Sequence, residues 1–216
     1  MNFMRNKERI GVFGGSFNPV HKGHLEIAEK AMKECGLQKV LLIPAGDPYM
    51  KEGTEILPAA ERMRLTELAV RDIPGFTADP LEVLRDGPSY TVDTLETLRE
   101  RYPDSRLFLI VGEDAFRQMP SWKDPERIVR LADIVVAGRK PSADVPEYGS
   151  EGPAVPDGRL HRIDCEIDIS STGIRKRIRA GEPVTGLLPE SAEKEIVKAY
   201  REFIRLRERQ SRPFSG

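Results

Sequence analysis

The chain has 216 residues, 39% of them hydrophobic and 32% charged, with a formal net charge of −1. That length and apolar share suit one α/β domain with a buried core, and the balanced charge argues against a nucleic-acid surface or a polybasic membrane patch. Cys35 and Cys165 lie far apart and make no Cys-x-x-Cys pair, Met1 to Glu8 lack a signal-peptide apolar stretch, and no run approaches a membrane span, so a soluble, cytoplasmic protein is expected.

The first element is a short apolar strand, Arg9-Ile10-Gly11-Val12-Phe13, followed by Gly14-Gly15-Ser16-Phe17-Asn18-Pro19-Val20-His21-Lys22-Gly23-His24. A strand that ends in paired glycines and feeds a helix start is a phosphate-binding arrangement. Glycine lets backbone lie against an anion, and the helix start offers unpaired N–H groups and a positive dipole end. His21 and His24 are three apart on one helical face, so both imidazoles can reach one phosphate chain.

That helix is read over about His21 to Cys35, with Gly36 closing it. Val40 to Ile43 is a continuous apolar run, the mark of a strand buried on both faces. Asp47 to Leu57 reads as a polar loop. Ala59 to Arg71 reads as a helix turning Met63, Leu65, Leu68 and Ala69 to the core. Another helix covers Thr91 to Arg101, capped by Thr91 or Asp93. Leu107 to Val111 is a strand leading into Gly112-Glu113-Asp114, where Glu113 or Asp114 could also cap the short helix that follows. The loop Met119-Pro120-Ser121-Trp122, a helix over Pro125 to Leu131 and a strand over Ile134 to Ala137 come next. Lys140 to Gly158 reads as a mobile loop, Leu160 to Ile163 as an edge strand, and Ser171 to Arg179 and Glu190 to Arg209 as the last helices. Ile196, Tyr200, Phe203 and Ile204 share one face of the final helix, for packing on the body or on a second subunit.

Strands alternating with helices imply a Rossmann-like, doubly wound parallel α/β sheet with helices on both faces. It is expected to form one domain over 7–210, with a C-terminal helical extension from about 171 to 210 and a disordered tail over 211–216. Ligands of such sheets bind beyond the carboxyl ends of the strands, so the separate glycine turns would gather on one rim. Asp168-Ile169-Ser170-Ser171-Thr172-Gly173-Ile174-Arg175 opens the penultimate helix. Ser171 or Thr172 would ordinarily cap the helix. Arg175, four residues after Ser171, adds a planar fork suited to phosphate oxygens. Two helix starts would then converge on one polyphosphate.

With these motifs the chain resembles the nucleotidyltransferase superfamily with a His-x-Gly-His motif, and within it the bacterial nicotinate-nucleotide adenylyltransferases. The likeness runs over about Arg9 to Tyr200 and is most specific at Gly14 to His24, Ser89 to Leu95, Gly112 to Asp114, Trp122 and Ile169 to Arg175. It implies the nucleotidyltransferase fold and transfer of AMP from ATP to nicotinate mononucleotide, giving deamido-NAD and pyrophosphate, with Mg²⁺ carried on the ATP phosphates and no dedicated metal site. It implies that His21, His24 and Arg175 contact the phosphates, with Gly14, Gly15, Ser16, Phe17, Ser170, Ser171 and Thr172 completing the ATP site. Thr91, Asp114, Trp122 and Lys51 would receive the mononucleotide. The loop Asp47-Pro48-Tyr49-Met50-Lys51 departs from the Pro-Pro-His-Lys of similar chains, so a histidine contact is missing there. Three readings stay open on the residues alone: this activity, an adenylyltransferase for nicotinamide mononucleotide or another phosphate monoester, and a nucleotide-binding sensor without turnover. A homo-oligomer is a further expectation.

Overall fold

Six parallel strands form one sheet in the computed structural model, which describes residues 7–47, 55–138 and 152–210. In chain order they are β1 (Arg9–Gly15), β2 (Lys39–Pro44), β3 (Phe76–Ala78), β4 (Arg106–Gly112), β5 (Asp133–Gly138) and β6 (Leu160–Asp164). The helices are α1 (Lys22–Cys35), α2 (Ala59–Val70), α3 (Thr91–Arg101), α4 (Glu113–Gln118), α5 (Pro125–Leu131), α6 (Ser171–Ala180) and α7 (Glu193–Gln210). The spatial order β3-β2-β1-β4-β5-β6 is doubly wound, and it reverses between β1 and β4.

Alternation along each strand divides the core. Phe13, Leu42, Phe108 and Ile110 face one layer with residues of α1, α2, α6 and α7. Ile10, Val12, Leu41, Ile43, Leu109 and Val136 face the other, with α3 and α5. Successive side chains of a strand point to opposite faces, so a strand covered on both sides reads as unbroken apolar sequence.

Several boundaries differ from expectation. β3 escaped the sequence reading because three residues show no periodicity; its pairing with β2, Val40 against Phe76 onward, is what makes it a strand. Helix α7 begins at Glu193 rather than Glu190, because the Ala192 and Glu193 N–H groups both donate to Pro189 O in a preceding turn. Neither Thr91 nor Asp93 caps α3: Tyr90 is the N-cap residue without a side-chain bond, and the Asp93 carboxylate is held by Lys123 Nζ at 2.9 Å. Gly112 likewise takes the cap position of α4, leaving Glu113 and Asp114 in its first turn. Met63 and Leu68 are only partly buried, and the buried stripe of α2 is Arg62, Leu65, Thr66 and Ala69.

The mobile loop expected over 140–158 lies mostly outside the described residues. Its described end is packed: a side chain at Gly152 would meet the Phe116 ring at 2.2 Å, and Val155 lies against the second core layer. Lys51 and the tail over 211–216 also lie outside the described residues. No helix among the described residues is long and apolar enough to cross a membrane.

Candidate active site

The topological switch point puts the carboxyl ends of β1 and β4 side by side, and the glycine turn leaves β1 there. A side chain at Gly14 would point into open space, so the residue is small for the sake of the cleft and not for packing. Phe17 follows at φ 41°, a left-handed backbone that side chains rarely adopt. It is held there by burial: only 2% exposed, its ring sits edge-on to Phe13 at 5.8 Å and to His24 at 5.0 Å. Strain of about 1–3 kcal/mol at such a position is characteristic of ligand-binding turns.

His21 is the N-cap residue of α1, and its backbone N–H donates to His24 Nδ1 at 3.1 Å. An imidazole that accepts through Nδ1 must, when neutral, carry its proton on Nε2. His24 is therefore set as an N–H donor at the far side of its ring. The two rings stack with centroids 3.6 Å apart, and His21 is 6% exposed with Nδ1 buried and unpartnered. Burial lowers the His21 pKa from 6.5 to about 4, so it is neutral at pH 7.

The second expected segment meets the first. Ser170 caps α6, accepting from the Gly173 N–H at 3.1 Å, so its hydroxyl serves the helix. The Ser171 hydroxyl instead donates to Pro19 O at 2.9 Å, and Arg175 Nη1 donates to Asn18 O at 2.9 Å while Nη2 donates to Thr172 Oγ1 at 3.2 Å. A side chain on Gly23 would collide with Ile167 Cγ2 at 2.4 Å, so α1 and the approach to α6 pack without space between them. Segments about 150 residues apart in sequence thus share one turn.

A cavity of about 180 Å³ opens between the strand ends, lined by Gly14, Gly15 and Ser16 on one side and by Ser89, Thr91, Thr94 and Trp122 on the other. The indole Nε1–H of Trp122 is buried without a partner, an unmet donor at the cavity wall. Asp114 stands apart, exposed on the first turn of α4 and outside this lining. A wider groove of about 810 Å³ runs along α7, but its lining is α7 with Glu190, without a strand end or glycine turn. Position outweighs size here.

Three further residues belong to the site or its support without having stood out in the sequence. Glu82 lines the cavity at 6% exposure and accepts from Thr94 Oγ1 at 2.6 Å. Burial pushes its carboxyl pKa up, against hydrogen bonds from Thr94 and Ser89 and the charge of Arg85. A lone acid between Leu81, Val83 and Leu84 was the available signal. Asn18 is a buried hub. Its Nδ2 donates to Glu55 O at 2.7 Å, and its Oδ1 accepts from the Leu57 N–H at 3.1 Å and from the Tyr200 hydroxyl. Arg62 occupies the apolar stripe of α2, where positions 62, 65, 66 and 69 repeat at helical spacing.

The cytidylyltransferase-like description matches residues 12–177, and the chain belongs to that family. A Desulfitobacterium hafniense protein named "Probable nicotinate-nucleotide adenylyltransferase" is 39% identical over 203 residues, covering 92% of this chain and 97% of its own. A Rubrobacter xylanophilus protein of the same name is 35% identical over 192 residues, covering 88% and 89%. At those identities and coverages the chain is a member of the nicotinate-nucleotide adenylyltransferase group within the family. The fold also matches a Plasmodium falciparum nicotinic acid mononucleotide adenylyltransferase solved with NaAD, with TM-score 0.69 and 15% identity over 91% of this chain and 96% of that one.

Proposed function

We infer that this chain is a nucleotidyltransferase that moves AMP from ATP to nicotinate mononucleotide, forming deamido-NAD and pyrophosphate. The observation that carries the reading is the shared cavity, where the Gly14–Ser16 turn faces Thr91 and Trp122. A phosphate-binding turn and an aromatic subsite in one cleft suit a reaction that joins two nucleotides.

The chemistry demands little of the protein in proton transfer. The attacking group is a phosphate monoester whose second pKa is about 6, so it is already ionised at neutral pH. What remains is alignment and donors where charge develops on the α-phosphate and the departing pyrophosphate. We assign that role to His24, His21 and Arg175, which lie beside the cavity and not in its lining, with Gly14, Gly15 and Ser16 lining the ATP side, Phe17 packed beneath the turn, Ser171 and Thr172 bracing it from the start of α6, and Ser170 holding that helix start. Thr91 and Trp122 would receive the pyridine ring, its edge offered the indole N–H. Asp114 would contribute from the rim, through a nucleotide longer than the cavity.

Among the described residues no group of three or more His, Cys, Asp or Glu side chains could hold a metal ion. Mg²⁺, which dehydrates reluctantly, would be carried by phosphate oxygens and water, and would supply neutralisation of the charge on the triphosphate.

The test is pyrophosphate release from ATP with nicotinate mononucleotide, nicotinamide mononucleotide and phosphopantetheine supplied in turn. The acid mononucleotide should turn over fastest. Faster release with the amide or with phosphopantetheine would transfer the assignment, and silence with all three would reduce the protein to a nucleotide binder.

A further inference from the structure

Arg62 is 1% exposed, and none of its bonds goes to an acid. Its guanidinium donates to three carbonyl oxygens from three separate stretches of chain: Nε to Leu57 O at 2.9 Å, Nη1 to Ser16 O at 2.9 Å and Nη2 to Gly46 O at 3.2 Å. Among the described residues no carboxylate lies within ion-pair distance of it, and burial lowers its pKa. Burying a guanidinium without a counter-charge opposes folding, because the lost hydration is not repaid by an ion pair. A scaffold that needed only three backbone bonds could obtain them from neutral donors.

The placement explains the charge. Ser16 lines the cavity, and Gly46 follows Ala45, which also lines it and whose N–H donates to Gly15 O at 2.9 Å. Arg62 therefore lies behind the glycine turn. In a trans peptide the C=O and the following N–H point in opposite directions. Of the two carbonyls anchored on Arg62, that of Ser16 turns its negative end away from the cleft and leaves the Phe17 N–H as the outward end of its peptide, while Asp47, whose N–H belongs to the Gly46 peptide, pairs with Pro88 and fixes the other side of the turn. Oriented amides backed by a fixed cation make an anion cradle.

We propose that Arg62 is a positioning residue for the polyphosphate: from behind Ser16 and Gly46 it orients the turn and supplies the positive charge that the bound phosphates neutralise. The inference rests on the reading that the triphosphate lies on this turn.

The experiment is a calorimetric ladder of adenosine, AMP and ATP binding to the full chain. In the wild type each added phosphate strengthens binding. In Arg62→Met the preference for ATP over adenosine should fall about tenfold, with adenosine affinity unchanged, because a charge-assisted contribution of this size acts on phosphate alone. Equal weakening of adenosine and ATP would mark Arg62 as scaffold only and overturn the proposal, as would an unchanged preference. Should Arg62→Met not fold, Arg62→Lys keeps the charge and loses the fork. Its preference should fall by less than tenfold with adenosine unchanged, and a wild-type preference or equal losses would count against the proposal. His24→Ala, run alongside, separates the two failures. If it lowers the preference and the Arg62 variants do not, only the role of Arg62 falls; if neither does, the placement of the triphosphate falls with it.

Discussion

His21 sits in a position that makes its charge a matter of pH and packing. Its ring is buried, and that loss of hydration lowers its pKa from 6.5 to about 4. The unfolded chain binds this proton more readily than the folded one between those limits, so folding stability is intact above pH 6.5 and falls as pH drops toward 4. At about 1.4 kcal/mol per pKa unit the full loss is about 3 kcal/mol. Thermal melts at pH 7 and pH 4.5 should show His21→Asn, an ordinary N-cap residue without a titrating ring, losing less stability over that interval than the wild type. An identical drop in both would place the acid sensitivity elsewhere. Asn18 and Arg62 carry a second lesson at this scale. Both are polar residues used as internal fasteners; Asn18 reads locally as a turn residue, and Arg62 is set apart from a solvated helix charge only by its helical spacing with Leu65, Thr66 and Ala69.

At the scale of elements, α7 is more than a cover on the sheet. Tyr200 is 2% exposed and reaches across to the turn that follows β1, its hydroxyl donating to Asn18 Oδ1. Burial pushes its phenol pKa well above the ordinary value, so it acts as a neutral donor throughout the working range. Arg175 of α6 grips the same residue through Asn18 O. The C-terminal helices thereby hold the turn that opens α1. Tyr200→Phe removes one buried bond while leaving Asn18 Oδ1 its contact with the Leu57 N–H, and should cost about 1–2 kcal/mol. In a chain of this size that corresponds to about 3–6 °C in melting temperature, readable by calorimetry. A shift below 1 °C would mean that packing alone fastens α7.

Across the whole molecule, the two ends of the sheet do different work. The carboxyl ends of the strands hold the cleft. The amino ends of the strands hold Asp133, 0% exposed at the start of β5, with Arg106 and Arg159 on its oxygens and His161 Nε2 at 3.0 Å. Burial by itself would raise this carboxyl's pKa, but the bonds from His161, Arg106 and Arg159 outweigh it and hold the group below its ordinary value. Asp133→Asn strips the cluster of its anion and should destabilise the protein by about 3 kcal/mol, seen as a lower denaturant midpoint. The kcat of the folded fraction should stay at the wild-type value, and a large fall in kcat would tie this end to the cleft.

Much of this architecture was legible beforehand because the signals were local. Unbroken apolar runs announce strands covered on both faces, Gly36 closes α1 as its position predicts, and the Gly14 to His24 segment needs only its neighbours to form a strand, a turn and a helix start. The interaction of His21 with His24 likewise follows from their spacing. Other features depend on pairing partners far away in the chain. β3 exists because β2 lies beside it. Ser171 and Thr172 could not be separated from Ser170 as cap until the helix start was in place. Whether Trp122 and Thr91 share a cavity with Gly15, and whether the acid at 82 and the arginine at 62 are inside or outside, depend on which strand ends lie side by side. Periodicity determined the type of sheet, and the backbone chemistry near one turn pointed to a phosphate-bearing ligand. Only the tertiary structure decided which polar side chains are buried and bonded, because desolvation depends on everything packed around a residue and on nothing that the residue carries itself.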